Sequence, residues 1–119
     1  SLNCDVGAIV KSLLFKTDNK FCLFLIAGDK KASLKKIKKN IKFSDVSMAS
    51  ADEVKSITGY TIGGVSPVGH INDVDIYIDK SLERFDFLFA AAGHPNCIFK
   101  ISFSDLKKIT KGVIEDIIE

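Results

Sequence analysis

The order of apolar and polar positions divides the chain into short elements. "KSLLFKT" (11–17) and "KFCLFLIAG" (20–28) are apolar at both alternating sets of positions, with a polar break at Asp18-Asn19. Strands buried on both faces lie inside a sheet, so the pattern predicts a central hairpin that ends at Gly28-Asp29. Ser33 caps a predicted helix through Asn40, with Leu34, Ile37 and Ile41 inward and Lys35, Lys36, Lys38 and Lys39 in solvent. "FSDVSMA" (43–49) reads as a short strand. Ser50 and Glu53 then form an S-x-x-E capping box for a second helix, which Gly59 stops.

In the second half, "DVDIYID" (73–79) alternates strictly. Val74, Ile76 and Ile78 share one face, and Asp73, Asp75, Tyr77 and Asp79 the other, which predicts a half-exposed strand. "FDFLFAAAG" (85–93) reads as a strand whose three alanines permit close approach, pairing with "CIFKISF" (97–103) across His94-Pro95-Asn96. Ser104 is the expected cap of a closing helix, "DLKKIT", ended by Gly112, and "VIEDIIE" reads as a last helical turn or two. Helices and strands do not alternate regularly, which argues against a doubly wound parallel sheet. The expected fold is α+β: a mixed, curled β-sheet or partly closed barrel of about six to seven strands, with short helices packed outside.

Composition narrows the class. At 119 residues with 46% hydrophobic and 27% charged, the chain is one domain, 1–119, with an ordinary globular composition. No apolar run is long enough to span a bilayer and no signal-peptide pattern is present, so a cytoplasmic protein without membrane attachment is expected. Cys4, Cys22 and Cys97 are far apart and without C-x-x-C spacing, which argues against disulfides and zinc and reads as small buried hydrophobes. A thiol at Cys97 near His94 is the one catalytic alternative among them. Seven lysines lie between Lys30 and Lys42, while Arg84 is the only arginine. That local charge can attract a phosphate backbone or can be a solvated helix face, and the scarcity of arginine argues against DNA base reading.

The conformationally special residues are concentrated. "TGYTIGGVSPVGH" (58–70) holds four of the eight glycines, one of two prolines and one of two histidines. A shorter stretch, "GHPN" (93–96), takes the other proline, the other histidine and a fifth glycine, and the two suggest loops facing one site. Gly63-Gly64 allows positive φ and close approach of backbone N–H groups to a ligand, as in anion nests and oxyanion holes, with Pro67 stiffening the loop and Gly69 turning it again. There is no G-K-[ST] and no G-x-G-x-x-G, so neither a Walker loop nor a dinucleotide fingerprint. An ordinary helix-to-strand connection accounts for the loop equally well. Lys11, on the face of Leu13 and Phe15, is placed at the mouth of the core, where a cation can hold a phosphate, carboxylate or ribose hydroxyl, or simply snorkel to water. His70 and His94 fit no Ser-His-Asp or Cys-His order, and turn histidines are usually just polar.

Taken together and in order, "IVKSLLF", "GDKK", "ADEVKSITGYTIGGVSPVG", "IDKSL" and "AAGHPNCIFKISFSDLKKIT" resemble the YbaK family. These are aminoacyl-tRNA editing domains related to the insertion domain of bacterial prolyl-tRNA synthetase. The likeness runs over nearly the whole chain and is most specific at "TGYTIGGVSPVG". A strand and helix usually precede the family's lysine; "LNCDVGAIV" is similar to the end of that helix, and the remainder is expected to be lacking.

The resemblance implies a free-standing deacylase that removes a wrong small amino acid (alanine, cysteine or serine) from tRNA, most often tRNA for proline. The family's lysine, which helps hold the terminal nucleotide, matches Lys11. The G-x-x-x-P loop matches Gly63, Gly64, Val65, Ser66 and Pro67, whose backbone would face the ester. Gly69, Gly93, His94 and Pro95 would bind substrate, His94 as a specificity determinant. No metal or cofactor is implied. The partners would be the 3′ acceptor end of aminoacyl-tRNA and an aminoacyl-tRNA synthetase, and discrimination would come from a pocket too small for proline. Two other readings stand beside this one: a non-catalytic binding module of the same fold for a tRNA end, nucleotide or protein, and a small structural domain.

Overall fold

A computed structural model describes residues 6–94 and 97–119, His94 through its backbone alone. After a 3-10 turn at Val6–Ala8 come β1 (Val10–Thr17), β2 (Lys20–Ala27), α1 (Leu34–Ile41), β3 (Val46–Met48) and α2 (Ala51–Thr58). Then follow β4 (Asp75–Asp79), a 3-10 turn at Lys80–Arg84, β5 (Phe87–His94), β6 (Cys97–Ser102), α3 (Phe103–Thr110) and β7 (Val113–Glu115). Five strands form a mixed sheet in the order β3-β1-β2-β4-β7, and β5 and β6 form a second, two-stranded one. The α+β class, the mixed sheet and the outer helices agree with the sequence pattern.

The doubly apolar hairpin is central because each face of the sheet has its own core. Val10, Leu14, Leu23, Leu25, Ala27 and Ile78 face α2, α3 and the small sheet, packing on Val54, Leu88, Ala90 and Leu106. Phe15, Cys22, Phe24 and Ile26 face the other way, toward Ile37 of α1, Val46 and Ile117. There Phe15 meets Phe24 edge-on at 5.3 Å and Phe24 stacks on Tyr77 at 5.3 Å. Burying a side chain of this size contributes roughly 1.5–3 kcal/mol, which is why the sheet tolerates so little polarity between its layers.

The capping box forms as read: Ser50 Oγ accepts the Glu53 N–H, Glu53 accepts the Ser50 N–H, and Gly59 ends α2 at φ +85°. Ser33 caps α1, but Leu34 is 43% exposed, since at the first helical position it overhangs the core that Ile37 fills. Other expectations fail. The strand read at 73–79 runs parallel between β2 and β7 from Asp75 to Asp79, and its polar face is open only at the start, where Asp73 and Asp75 are exposed while Tyr77 is half-buried. Asp79 is only 1% exposed; its carboxylate accepts the Ser81 and Ile117 N–H groups, so it caps the 3-10 turn at Lys80–Arg84, holds the chain after β7, and is no solvent-face residue. α3 is capped by Ser102 and not Ser104, and Lys111 in the left-handed region ends it just before Gly112. The chain after Gly112 forms β7 and not a helix, because alternating Val113 and Glu115 extend the main sheet beside β4. Cys22 is buried as expected, and burial pushes its thiol pKa up. Cys97 is exposed, on a sheet of only two strands, and Cys4 lies outside the described residues.

Candidate active site

The site follows from an unequal pairing of β1. One edge of this strand pairs with β2 along its whole length, from Val10↔Ala27 to Thr17↔Lys20. The other edge pairs with β3 only at Phe15, Lys16 and Thr17. The Leu14 carbonyl still accepts the Ala49 N–H at 3.0 Å, and then pairing stops because the chain turns into α2. Residues two apart in a strand point their main-chain groups to the same side. The N–H and C=O of Ser12 therefore point to this unpaired edge. Beyond it, an isolated parallel bridge joins Ile9 to Phe89 of β5.

A cavity of about 400 Å³ opens along that edge. Residues from both faces of β1 line it, Val10, Ser12 and Leu14 from one and Lys11 and Leu13 from the other, so the strand's edge forms the wall. The glycine-rich loop supplies Ile62, Gly63 and Val65, the small sheet Ala91 and Ile98, and the chain around α2 Met48, Ala49 and Val54. Met48 (61% exposed), Ile62 (59%) and Ile98 (40%) make an apolar rim open to solvent. A second cavity of about 550 Å³ shares Lys11, Leu13 and Met48 and adds Lys31, Lys35, Ser33 and Glu119. Half-buried Lys11 thus stands between an apolar chamber and a lysine-lined groove, its ammonium donating to the Lys30 carbonyl.

The loop is braced from within. Gly63 takes φ +88°, and a Cβ there would meet nothing within 4 Å, so the glycine answers a backbone need and faces open space. The Gly64 N–H closes a turn on the Thr61 carbonyl, whereas those of Gly63 and Val65 donate to no acceptor among the described residues. Gly64, Ser66 and Pro67 are buried behind the cavity wall, which corrects the picture of a whole loop facing one concavity. The Ser66 hydroxyl accepts from Val68 N–H at 3.3 Å, and its carbonyl meets His70 Nε2 at 2.6 Å. Since a carbonyl only accepts, His70 must carry its proton on that nitrogen, and it acts as a brace.

Tyr60 is the residue the sequence reading passed over. Its hydroxyl donates to the carbonyls of Val68 (2.7 Å) and Gly69 (3.3 Å), and its ring meets that of His70 edge-on at 5.9 Å. A Cβ at Gly69 would come within 2.7 Å of the Tyr60 hydroxyl, and one at Gly93 within 2.9 Å of its ring. Gly69 and Gly93 therefore seat this tyrosine and do not line the cavity. Through it the two glycine-bearing stretches do converge. The only sequence signal was an aromatic residue just after a helix stop. The His94 side chain and Pro95 lie outside the described residues. Among the described residues no cluster of three or more His, Cys, Asp or Glu could hold a metal ion, and no helix is long and apolar enough to cross a membrane.

Comparison with known proteins places this arrangement. The family model for the aminoacyl-tRNA editing domain matches residues 1–109, and the chain belongs to that family. It is similar to the proline–tRNA ligase of Caldicellulosiruptor bescii, 32% identical over 111 residues that cover 92% of this chain and 19% of the ligase. The uncharacterized protein YwhH of Bacillus subtilis is 33% identical over 111 residues, covering 92% of this chain and 70% of YwhH. Among solved structures, one described as a proposed trans-editing enzyme for prolyl tRNA synthetase superposes with a TM-score of 0.93 at 34% identity. That match covers 98% of this chain and 73% of the other. The domain is thus an aminoacyl-tRNA editing domain related to those of prolyl-tRNA synthetases, although it spans only about a fifth of the ligase.

Proposed function

We propose that the protein is a trans-acting deacylase that hydrolyses a small, wrongly attached amino acid from tRNA, with tRNA for proline as the first candidate. The observation that supports this best is the placement of Lys11 between the apolar chamber and the lysine-lined groove, with the chamber also lined by Gly63 and Val65, whose N–H groups have no acceptor among the described residues. The aminoacyl group enters the chamber, the terminal base rests on the rim of Met48, Ile62 and Ile98, and the phosphates follow the lysines outward. Lys11 leaves the Lys30 carbonyl to hold the terminal nucleotide.

An aminoacyl ester is already activated, so the protein's task is positioning and electrostatics. The N–H groups of Gly63 and Val65 stabilise the negative charge that develops on the ester carbonyl when water attacks, and the vicinal ribose hydroxyl orients that water. No imidazole or carboxylate lines the chamber among the described residues, which suits assistance by the substrate. A charged tRNA as substrate puts the site of action in the cytoplasm.

The test is deacylation of proline tRNA charged in turn with alanine, cysteine, serine and proline, comparing wild type with Lys11→Ala. Release of one small amino acid that depends on Lys11 and spares proline supports the reading. Release at the spontaneous rate from folded protein refutes it, and tight RNA binding without turnover would identify a binding module.

A further inference from the structure

A chamber of about 400 Å³ is of the size that takes whole small-molecule ligands. Proline is itself a small amino acid, well below that volume, so a polar element inside the apolar wall adds to what size can discriminate. The wall holds one. Ser12 lines the chamber, and among the described residues its Oγ is the one buried side-chain oxygen or nitrogen without a hydrogen-bond partner. A native protein rarely leaves such an atom unpaired, because a sealed, unsatisfied hydroxyl costs about 1–3 kcal/mol. Beside it lies the unpaired edge of β1, toward which the Ser12 carbonyl points, and no loop or cap hydrogen bond reaches that carbonyl among the described residues. A step of χ1 between staggered wells turns the hydroxyl from the core side toward the same space. Turned that way, the hydroxyl joins the carbonyl as a pair of acceptors on the stretch of wall next to Lys11.

We propose that Ser12, through its hydroxyl and its main-chain carbonyl, holds the α-amino group of the aminoacyl ester and distinguishes a primary amine from the ring nitrogen of proline. This rests on the editing reading for the identity of the ligand. A primary ammonium has three N–H bonds, enough to satisfy both oxygens with one to spare. The ring nitrogen of proline keeps two N–H bonds, as many as the pair has oxygens, but the ring fixes their directions and puts a methylene where the third N–H stood, so seating it on the pair presses carbon against the chamber wall. An acylated amine, with one N–H and no charge, cannot satisfy both oxygens, and sites built around hydrogen bonds reject such analogues far more strongly than apolar pockets reject a change of size. Ser12 is a positioning residue here; the attack on the ester occurs at the carbonyl and needs no proton from it.

The experiment has two arms, each with wild type, Ser12→Ala and Ser12→Thr. In the first, alanyl-, N-acetylalanyl- and prolyl-tRNA are deacylated in parallel. Wild type and Ser12→Thr are expected to prefer the free amine, and Ser12→Ala to lose about tenfold or more on alanyl-tRNA while N-acetylalanyl-tRNA changes little. In the second, binding of 3′-alanylamino-3′-deoxyadenosine, an amide that is not hydrolysed, is measured against its N-acetyl and prolyl counterparts. The same dependence on Ser12 there, with no turnover in the first arm, supports the amine site and refutes the hydrolase. An amine preference unchanged in Ser12→Ala, or an equal loss on free and acetylated ligands, overturns the proposal whatever the enzyme's activity.

Discussion

The two halves of β1 carry similar residues and do different work. From Phe15 to Thr17 the strand has a neighbour on both edges, and Phe15 is 2% exposed against Phe24 and Ile37. From Lys11 to Leu14 one edge has no neighbouring strand, and that edge is the wall of a chamber. A strand held on both sides is structure. The same strand one turn of the pleat earlier, released on one side, offers a ligand fixed polar groups on a rigid base. The difference is made by β3, which is only three residues long and gives way to α2.

Substitutions in the two halves should therefore separate stability from activity. The largest effect is expected from Phe15→Ala, which should cost about 3–5 kcal/mol through lost burial and the cavity left behind. Urea unfolding measures it, and the remaining folded protein should deacylate better than Lys11→Ala does. Lys11→Ala should lower deacylation of the preferred ester about a hundredfold, equivalent to about 2.7 kcal/mol of transition-state stabilisation. Its unfolding free energy should stay within about 1 kcal/mol of wild type, and a larger loss would mean that the lysine belongs to the paired, structural half.

Tyr60→Phe sits between the two kinds. It removes the donor to the Val68 and Gly69 carbonyls and should cost about 1–2 kcal/mol, with a several-fold drop in deacylation as the loop loosens against β5. Calorimetry and single-turnover rates read both; unchanged rates would show that the loop needs no such brace. The smallest effect concerns Glu53, whose pKa is held below its ordinary 4.5 by the Ser50 N–H. A lowered folded-state pKa means that its stabilisation is complete above about the ordinary value and is lost as pH falls through the folded value. Glu53→Gln should keep the cap and flatten the fall of melting temperature below pH 4.5. A fall as steep as in wild type would assign that acid sensitivity to other carboxylates.

Much of this was legible along the chain. The doubly apolar hairpin, the capping box from Ser50 to Glu53 and the clustering of glycines are local patterns, and local patterns survive into the fold because they depend on near neighbours and on burial. The same order of segments carried the family. What the chain alone misassigned depended on distant partners. Val113–Glu115 of "VIEDIIE" became a strand because β4 offered it an edge, and Asp79 went inside, where the N–H groups of Ser81 and Ile117 needed an acceptor. Gly64, Ser66, Pro67, Gly69 and Gly93 were read as parts of a ligand wall; they do not line the chamber, and Gly69 and Gly93 lie against Tyr60, since which side of a loop faces a cavity is set by what packs behind it.

The sequence by itself thus determined the class of fold, the element most of its residues join, and the region where chemistry should lie. Only the tertiary structure decided that β1 would stand open beside Lys11, that Tyr60 would join the two glycine-bearing stretches, and that Ser12 would be left with a hydroxyl in want of a partner. Each of those depends on an edge, a cavity or a missing neighbour, and no residue carries its neighbours' absence in its own identity.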